Sequence, residues 1–195
     1  MTKLKVERGF ALWMFGPPAA GKTTISSAVA KFLETYDVPV VLFDGDITRK
    51  IVDEGIGHTE EDRILLTRRY AALTSYLTQS KVIVILAAIN HTNAQREFAR
   101  AEHPEDQFGL VWIRTESNVC KERDPKGLYA KAQKMINEGT PANVVGVDID
   151  FEEPNDFQMA IDTSVTSPED AGPVIADFLL SVGALSKSSE DPSSI

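Results

Sequence analysis

The stretch FALWMFGPPAAGKTTISSAVAKFL, residues 10–33, decides the fold. Its apolar start, Phe10 to Phe15, reads as a buried strand, and KTTISSAVAKFL reads as a helix. Between them, GPPAAGKT satisfies the pattern G-x-x-x-x-G-K-[ST] in full. A glycine-rich loop between a strand and a helix brings backbone N–H groups and the positive helix end onto a phosphate. The expected phosphate ligands are therefore Gly16, Ala19, Ala20, Gly21, Lys22, Thr23 and Thr24. The Lys22 ammonium would neutralise the outer phosphates, and the Thr23 hydroxyl would reach Mg²⁺. Such a loop points to an enzyme that transfers phosphoryl groups from ATP.

Further along, the apolar runs VPVVLFD (38–44), VIVILAA (82–88), LVWIR (110–114) and MAID (159–162) alternate with amphipathic segments. This alternation predicts an α/β fold, a parallel β-sheet flanked by helices. Helices are expected over residues 22–36 and 60–80. The second follows a Thr59-x-x-Asp62 capping pattern and carries Leu66, Tyr70, Leu73 and Leu77 at helical spacing. A last helix should begin at Ser167, with Pro168 at its first position, Asp170 as the capping acid and Pro173 disturbing its first turn. Residues 115–156 are charged and interrupted by Pro125, Gly127, Gly139, Pro141 and Gly146, as expected of a mobile helical lid. The sequence thus predicts a single P-loop kinase domain over 1–183 and a disordered C-terminal tail over 184–195.

Composition narrows the function. With 43% hydrophobic and 25% charged residues the chain is ordinary for a globular protein, and it has no apolar run long enough to span a bilayer. A net charge of −9 argues against broad binding to nucleic acid or to an anionic membrane, so any phosphate site must be local. The start lacks the features of a signal peptide, and the single cysteine, Cys120, fits a reducing compartment, so a cytoplasmic location is expected. His58, His91 and His103 lack metal-ligand spacing, so no zinc site is expected and loop or solvated positions are the default for them.

At the end of the second strand, Asp44-Gly45-Asp46 puts two carboxylates at the edge where open α/β sheets bind ligands. There they can meet Mg²⁺ and an acceptor hydroxyl, although D-G by itself is also a common turn. Arg49, Arg63, Arg68 and Arg69 are candidate anion ligands near the same edge.

Taken together, GPPAAGKTT (16–24), LFDGDITR (42–49), TEEDR (59–63), the strand at 82–88 and CKERDPKGLYAKA (120–132) resemble the adenylylsulfate kinases. The most specific piece is RDPKGLY (123–129), and IDT (161–163) is similar to that family's strand before its last helix. The resemblance implies a P-loop kinase fold, MgATP as donor, transfer of the γ-phosphoryl group to the 3′-hydroxyl of adenylyl sulfate, a place in sulfate assimilation and often a homodimer. Carried over by position, it implies that Asp46 orients or deprotonates the acceptor hydroxyl, with Lys22 as its catalytic partner on the phosphates. Asp44 would support Mg²⁺ beside Thr23, Arg123 would lie against the ATP adenine, and Lys126 would reach in from the lid.

On the acceptor side the resemblance implies contacts from Arg49 and Arg63, from His58 in place of a stacking aromatic, from Leu66 where the family has asparagine, from Ile89 and Asn90, and from Lys126 of the lid. The family's Ser-Pro-Tyr-Arg reads here Asn90-His91-Thr92-Asn93, and Val144 stands in place of the second aromatic. The acceptor is then adenylyl sulfate or a related anionic, nucleotide-like small molecule, and two alternatives stay open: a kinase of the same family for a different, non-adenylyl acceptor, and an ATP-binding regulatory protein without transferase activity. No N-K-x-D stretch for guanine recognition is present.

Overall fold

The structure, a computed structural model, describes residues 3–45, 48 and 55–188. Its centre is a parallel sheet of β2 (Phe10–Phe15), β3 (Val40–Asp44), β4 (Ile83–Ala88), β5 (Phe108–Arg114) and β6 (Met159–Asp162). The strands run in the order β3-β4-β2-β5-β6, so the strand that leads into the glycine loop lies in the middle. All residues of β2 are buried, because both faces of this strand are covered.

On one face Leu12 and Met14 meet α1 (Lys22–Glu34) and α6 (Pro168–Ser181) through Ile25, Val29, Leu33, Ile175 and Leu179. On the other, Trp13 and Phe15 join Leu66, Tyr70 and Ala71 of α2 (Glu60–Thr78) and Ala99 of α3 (Asn93–Ala101). Two helices, α4 (Ser117–Arg123) and α5 (Leu128–Asn137), occupy the first half of the expected lid. Residues 138–157 return from it without a helix, apart from a bridge between Val145 and Ile149.

The expected caps are present. Thr59 accepts from the Asp62 backbone N–H while Asp62 accepts from that of Thr59, and Ser167 caps α6 ahead of Pro168. Pro173 sits within α6 without ending it.

One expectation needs correction, and one helix was missed. Residues 184–195 were expected to be disordered, yet β7 (Leu185–Ser188) pairs antiparallel with β1 (Lys3–Val6). Ala184 and Leu185 are buried there, and that burial together with the strand pairing supplies what a short polar sequence could not show. Residues 189–195 lie outside the described residues. Next, α3 was not anticipated, although Thr92 and Gln95 form a capping box at its start. His91 and His103 lie in loops, one of the two expected positions, and both are buried there. His103 is buried with its ring nitrogens 3.0 Å from Thr74 Oγ1 and 2.7 Å from the Ala99 carbonyl, and His91 is buried with Nε2 3.2 Å from Glu60 Oε2. Burial lowers the pKa of both rings.

Candidate active site

The C-terminal ends of β2, β3 and β4 open on a cavity of about 880 Å³, within the usual range for a ligand site. Its floor is the glycine loop. Left-handed backbone at Ala19 (φ +59°) and Gly21 (φ +95°) bends that loop into the kind of concave turn that gathers N–H groups around an anion. Gly21 begins α1 with no side-chain cap, and no acidic residue stands in the first turn, so the positive helix end is left for an anion. Gly16 is required by proximity, since a Cβ there would lie 2.4 Å from the Ile113 carbonyl oxygen.

Lys22 donates to the carbonyls of Gly16 (2.9 Å) and Pro17 (2.8 Å). Although the residue as a whole is only half-buried, its ammonium is enclosed by the loop, and burial lowers its pKa to about 8. The positive charge of Lys126 on the lid acts in the same direction, which puts Lys126 within electrostatic reach of the loop.

A bound phosphate would favour the charged form, so nucleotide binding takes up a proton above pH ~8. The dissociation constant for ATP should therefore rise with pH above that point, by at most about tenfold per unit. Calorimetric titration between about pH 7 and 9.5 checks this, the phosphates being ionised throughout with a second pKa near ~6. A Lys22→Arg variant, whose guanidinium does not titrate there, should show a flat profile whatever its absolute affinity. A flat wild-type profile would contradict the assignment.

The Thr23 hydroxyl donates to Asp44 Oδ2 at 2.6 Å, joining the start of α1 to the end of β3. Gly45 lets β3 and β4 close up at this point, because a Cβ would lie 2.8 Å from the Ala87 carbonyl oxygen. Two hard oxygen donors beside a phosphate loop suit Mg²⁺, which takes few protein ligands and fills its shell with phosphate and water. Thr23 and Asp44, paired at the cavity floor, are its candidate ligands.

Hydroxyl groups tie the lid and the residue after β6 to the loop. Tyr129 donates to the Pro18 carbonyl (3.1 Å), while Thr115 and Thr163 both donate to that of Ala20 (3.1 and 3.0 Å) and lie 2.7 Å from each other. Burial pushes the Tyr129 hydroxyl up to about 12, so it remains a donor at neutral pH. Arg123 donates to the Thr163 hydroxyl (2.8 Å) and carbonyl (3.0 Å), which fixes its guanidinium at the cavity rim.

The rest of the wall comes from the opposite side. His58, Arg63, Leu66, Ile89 and Asn90 all line the cavity, as do Thr24 and Lys126. Arg63 donates to the Asn143 carbonyl at 2.7 Å. Leu66 is buried with Tyr70 in the core beneath it. The Ile89 carbonyl accepts from the Gly16 N–H (3.3 Å), linking the end of β4 to the loop.

The Asn90 side chain is already engaged at both ends, accepting from Trp13 Nε1 (2.9 Å) and donating to Thr67 Oγ1 (3.0 Å). Arg68 is outside this wall, its guanidinium lying 5.5 Å from the centre of the Phe98 ring. Asp46 and Arg49, expected at the same edge, lie outside the described residues.

Sequence reasoning missed Arg96. Its buried guanidinium donates to the Asn90 carbonyl (2.6 Å), Asn93 Oδ1 (2.7 Å) and the Glu152 carbonyl (3.0 Å), and lies over the rings of Phe15 and Phe151. It thereby fastens the returning lid to the end of β4. No short motif marks such a residue, because Asn90 and Asn93 are near it in sequence but Phe15, Phe151 and Glu152 come from two distant segments.

The adenylylsulphate kinase family model matches residues 8–162. Over 184 residues the chain is 31% identical to an adenylyl-sulfate kinase of Shewanella sp. (strain ANA-3), covering 94% of this chain and 88% of that one. It is also 34% identical over 176 residues to the bifunctional enzyme NodQ of Azospirillum brasilense, covering 90% of this chain but only 28% of NodQ. Among solved structures, the APS kinase CysC of Mycobacterium tuberculosis, in complex with AMPPNP and APS, superposes with a TM-score of 0.81. Its identity to this chain is 27%, with 89% of this chain and 98% of CysC covered.

Proposed function

The chain belongs to the adenylylsulphate kinase family, and from that premise we propose that it transfers the γ-phosphoryl group of ATP to the 3′-hydroxyl of adenylyl sulfate. The observation that carries this reading is the single cavity lined both by the phosphate loop with its lid and by His58, Arg63, Leu66, Ile89 and Asn90. A donor and an acceptor held in one enclosure react as an intramolecular pair, which supplies about 7–11 kcal/mol of the barrier.

In this reading the loop N–H groups and Lys22 hold the ATP phosphates, while Arg123 at the rim lies against the adenine. Thr23 and Asp44 would hold Mg²⁺, which when bound neutralises charge on the β- and γ-phosphates. Arg63, with Arg49, binds the anionic part of the acceptor, and His58 offers a ring to its base. Tyr129 and the threonine pair keep the lid on the loop, which excludes water from the transferring group. Asp46 orients the attacking hydroxyl.

The test is ADP release by the purified protein with and without adenylyl sulfate. Acceleration by two or more orders of magnitude is expected, since orientation effects are on that scale or larger. No acceleration would overturn the proposal. Related ribonucleotide anions belong in the same assay, because Val144 cannot stack as an aromatic does and the Asn90 amide is already engaged. A better acceptor among them would show that this side of the cavity has been rebuilt.

A homodimer and a cytoplasmic location belong to the same proposal. A light-scattering mass of one chain would exclude the first, and recovery with membranes on fractionation the second. Among the described residues no helix is long and apolar enough to cross a membrane.

A further inference from the structure

Beyond α5 the chain makes a tight loop around a carboxylate that phosphoryl transfer does not use. Asp148 accepts the backbone N–H groups of Ala142 (2.7 Å) and Asn143 (2.8 Å) on one oxygen and that of Val144 (2.7 Å) on the other. Three successive N–H groups on one side chain leave this loop little freedom. The Val144 carbonyl closes it further by accepting from Val147 (3.0 Å) and Asp148 (3.2 Å).

At the turn Asn143 adopts φ +54°, a left-handed conformation that a non-glycine residue keeps when its surroundings hold it. Its carbonyl, aimed by that conformation, accepts from Arg63 at 2.7 Å. On the other side of the loop Gly146 packs on Tyr129, where an added Cβ would lie 3.3 Å from the hydroxyl that is bonded to the phosphate loop. One short loop therefore touches both the acceptor arginine and the clamp on the donor site.

We propose that Asp148 is a positioning residue for the acceptor: by gathering the N–H groups of 142–144 it sets the Asn143 carbonyl, which in turn sets the Arg63 guanidinium toward the anionic part of the acceptor. This inference rests on the reading that Arg63 contacts the acceptor. A role confined to holding the lid shut would act on ATP as well, because the same lid clasps the phosphate loop.

The Asp148→Asn variant keeps the shape but replaces one accepting oxygen with an N–H₂ donor, so it cannot take all three bonds. The KM for adenylyl sulfate should rise about tenfold, the scale of one lost hydrogen bond to a charged group. At saturating acceptor kcat and the KM for ATP should stay within about twofold. In an Arg63→Ala background the same substitution should add nothing further, because the two residues act in series.

An unchanged acceptor KM, an equal loss of ATP affinity, or effects that add to those of Arg63→Ala would each overturn the proposal. If the wild-type protein does not turn over adenylyl sulfate, the functional reading fails, and the positioning claim is decided without acceptor. The Arg63 Nε–H resonance of the free protein should then shift and broaden in Asp148→Asn, while amide resonances of residues 16–24 stay in place. An unmoved Arg63 signal would refute it.

Discussion

Replacing Lys22 with alanine should lower acceptor-dependent ADP formation by about three orders of magnitude, at the upper end of what one lost charge-stabilising donor costs an active site. In the structure the ammonium is already at the loop, held by the Gly16 and Pro17 carbonyls at 2.9 and 2.8 Å. An arriving phosphate exchanges these neutral acceptors for anionic ones, which adds the attraction of opposite charges to bonds whose donor is already charged. Little rearrangement is needed for that exchange, so most of the gain goes to the transferring group.

The substitution should leave the fold intact. The buried face of α1 consists of Ile25, Ser26, Val29, Ala30 and Leu33, and Lys22 is not part of it. Removing the enclosed ammonium also removes a desolvated charge. The expected result is therefore an unaltered thermal midpoint with weakened ATP binding and lost turnover, read by scanning calorimetry and a coupled ADP assay. Turnover within about tenfold of wild type would mean that the charge stabilising the γ-phosphoryl group lies elsewhere.

Some of this site was legible from the sequence because its chemistry is contiguous. GPPAAGKT carries strand exit, anion turn and helix start in one stretch, and each is where the motif's mechanism needs it. The Thr59 cap and the Ser167 start of α6 were readable for the same reason, since a cap is a bond between residues three apart.

What was hidden depends on remote partners. Arg96 looks like any helix arginine until Phe15 and Phe151 are brought beside it. Asn90 does line the cavity, but that Trp13 and Thr67, far away in sequence, hold its amide could not be read from the sequence. Leu185–Ser188 lacks a strand pattern of its own, and β1 provides one. The surroundings of His91 and His103 likewise include Glu60 and Thr74, both remote from the rings in sequence.

Asp46→Asn should leave ATP binding near normal and reduce the rate of transfer by about 10²–10⁴, the usual range for losing a positioned acid or base. Asp44 stands at the end of β3, its Oδ2 2.6 Å from Thr23 Oγ1, on the phosphate-loop side of the cavity. Two residues farther along the chain, Asp46 is the next carboxylate, and the acceptor wall of His58, Arg63 and Leu66 follows within the same stretch of sequence.

An attacking hydroxyl needs a partner that accepts its proton or fixes its direction, and a carboxylate can do both. Asparagine keeps the volume and one accepting oxygen but loses the negative charge, so binding should survive while kcat falls. A single-turnover experiment with enzyme in excess over ATP separates the two effects, because it reads transfer without product release. If the transfer rate stays within about tenfold of wild type, Asp46 does not orient the hydroxyl. If ATP affinity falls together with the rate, its role lies with Asp44 and Thr23 on the donor side instead.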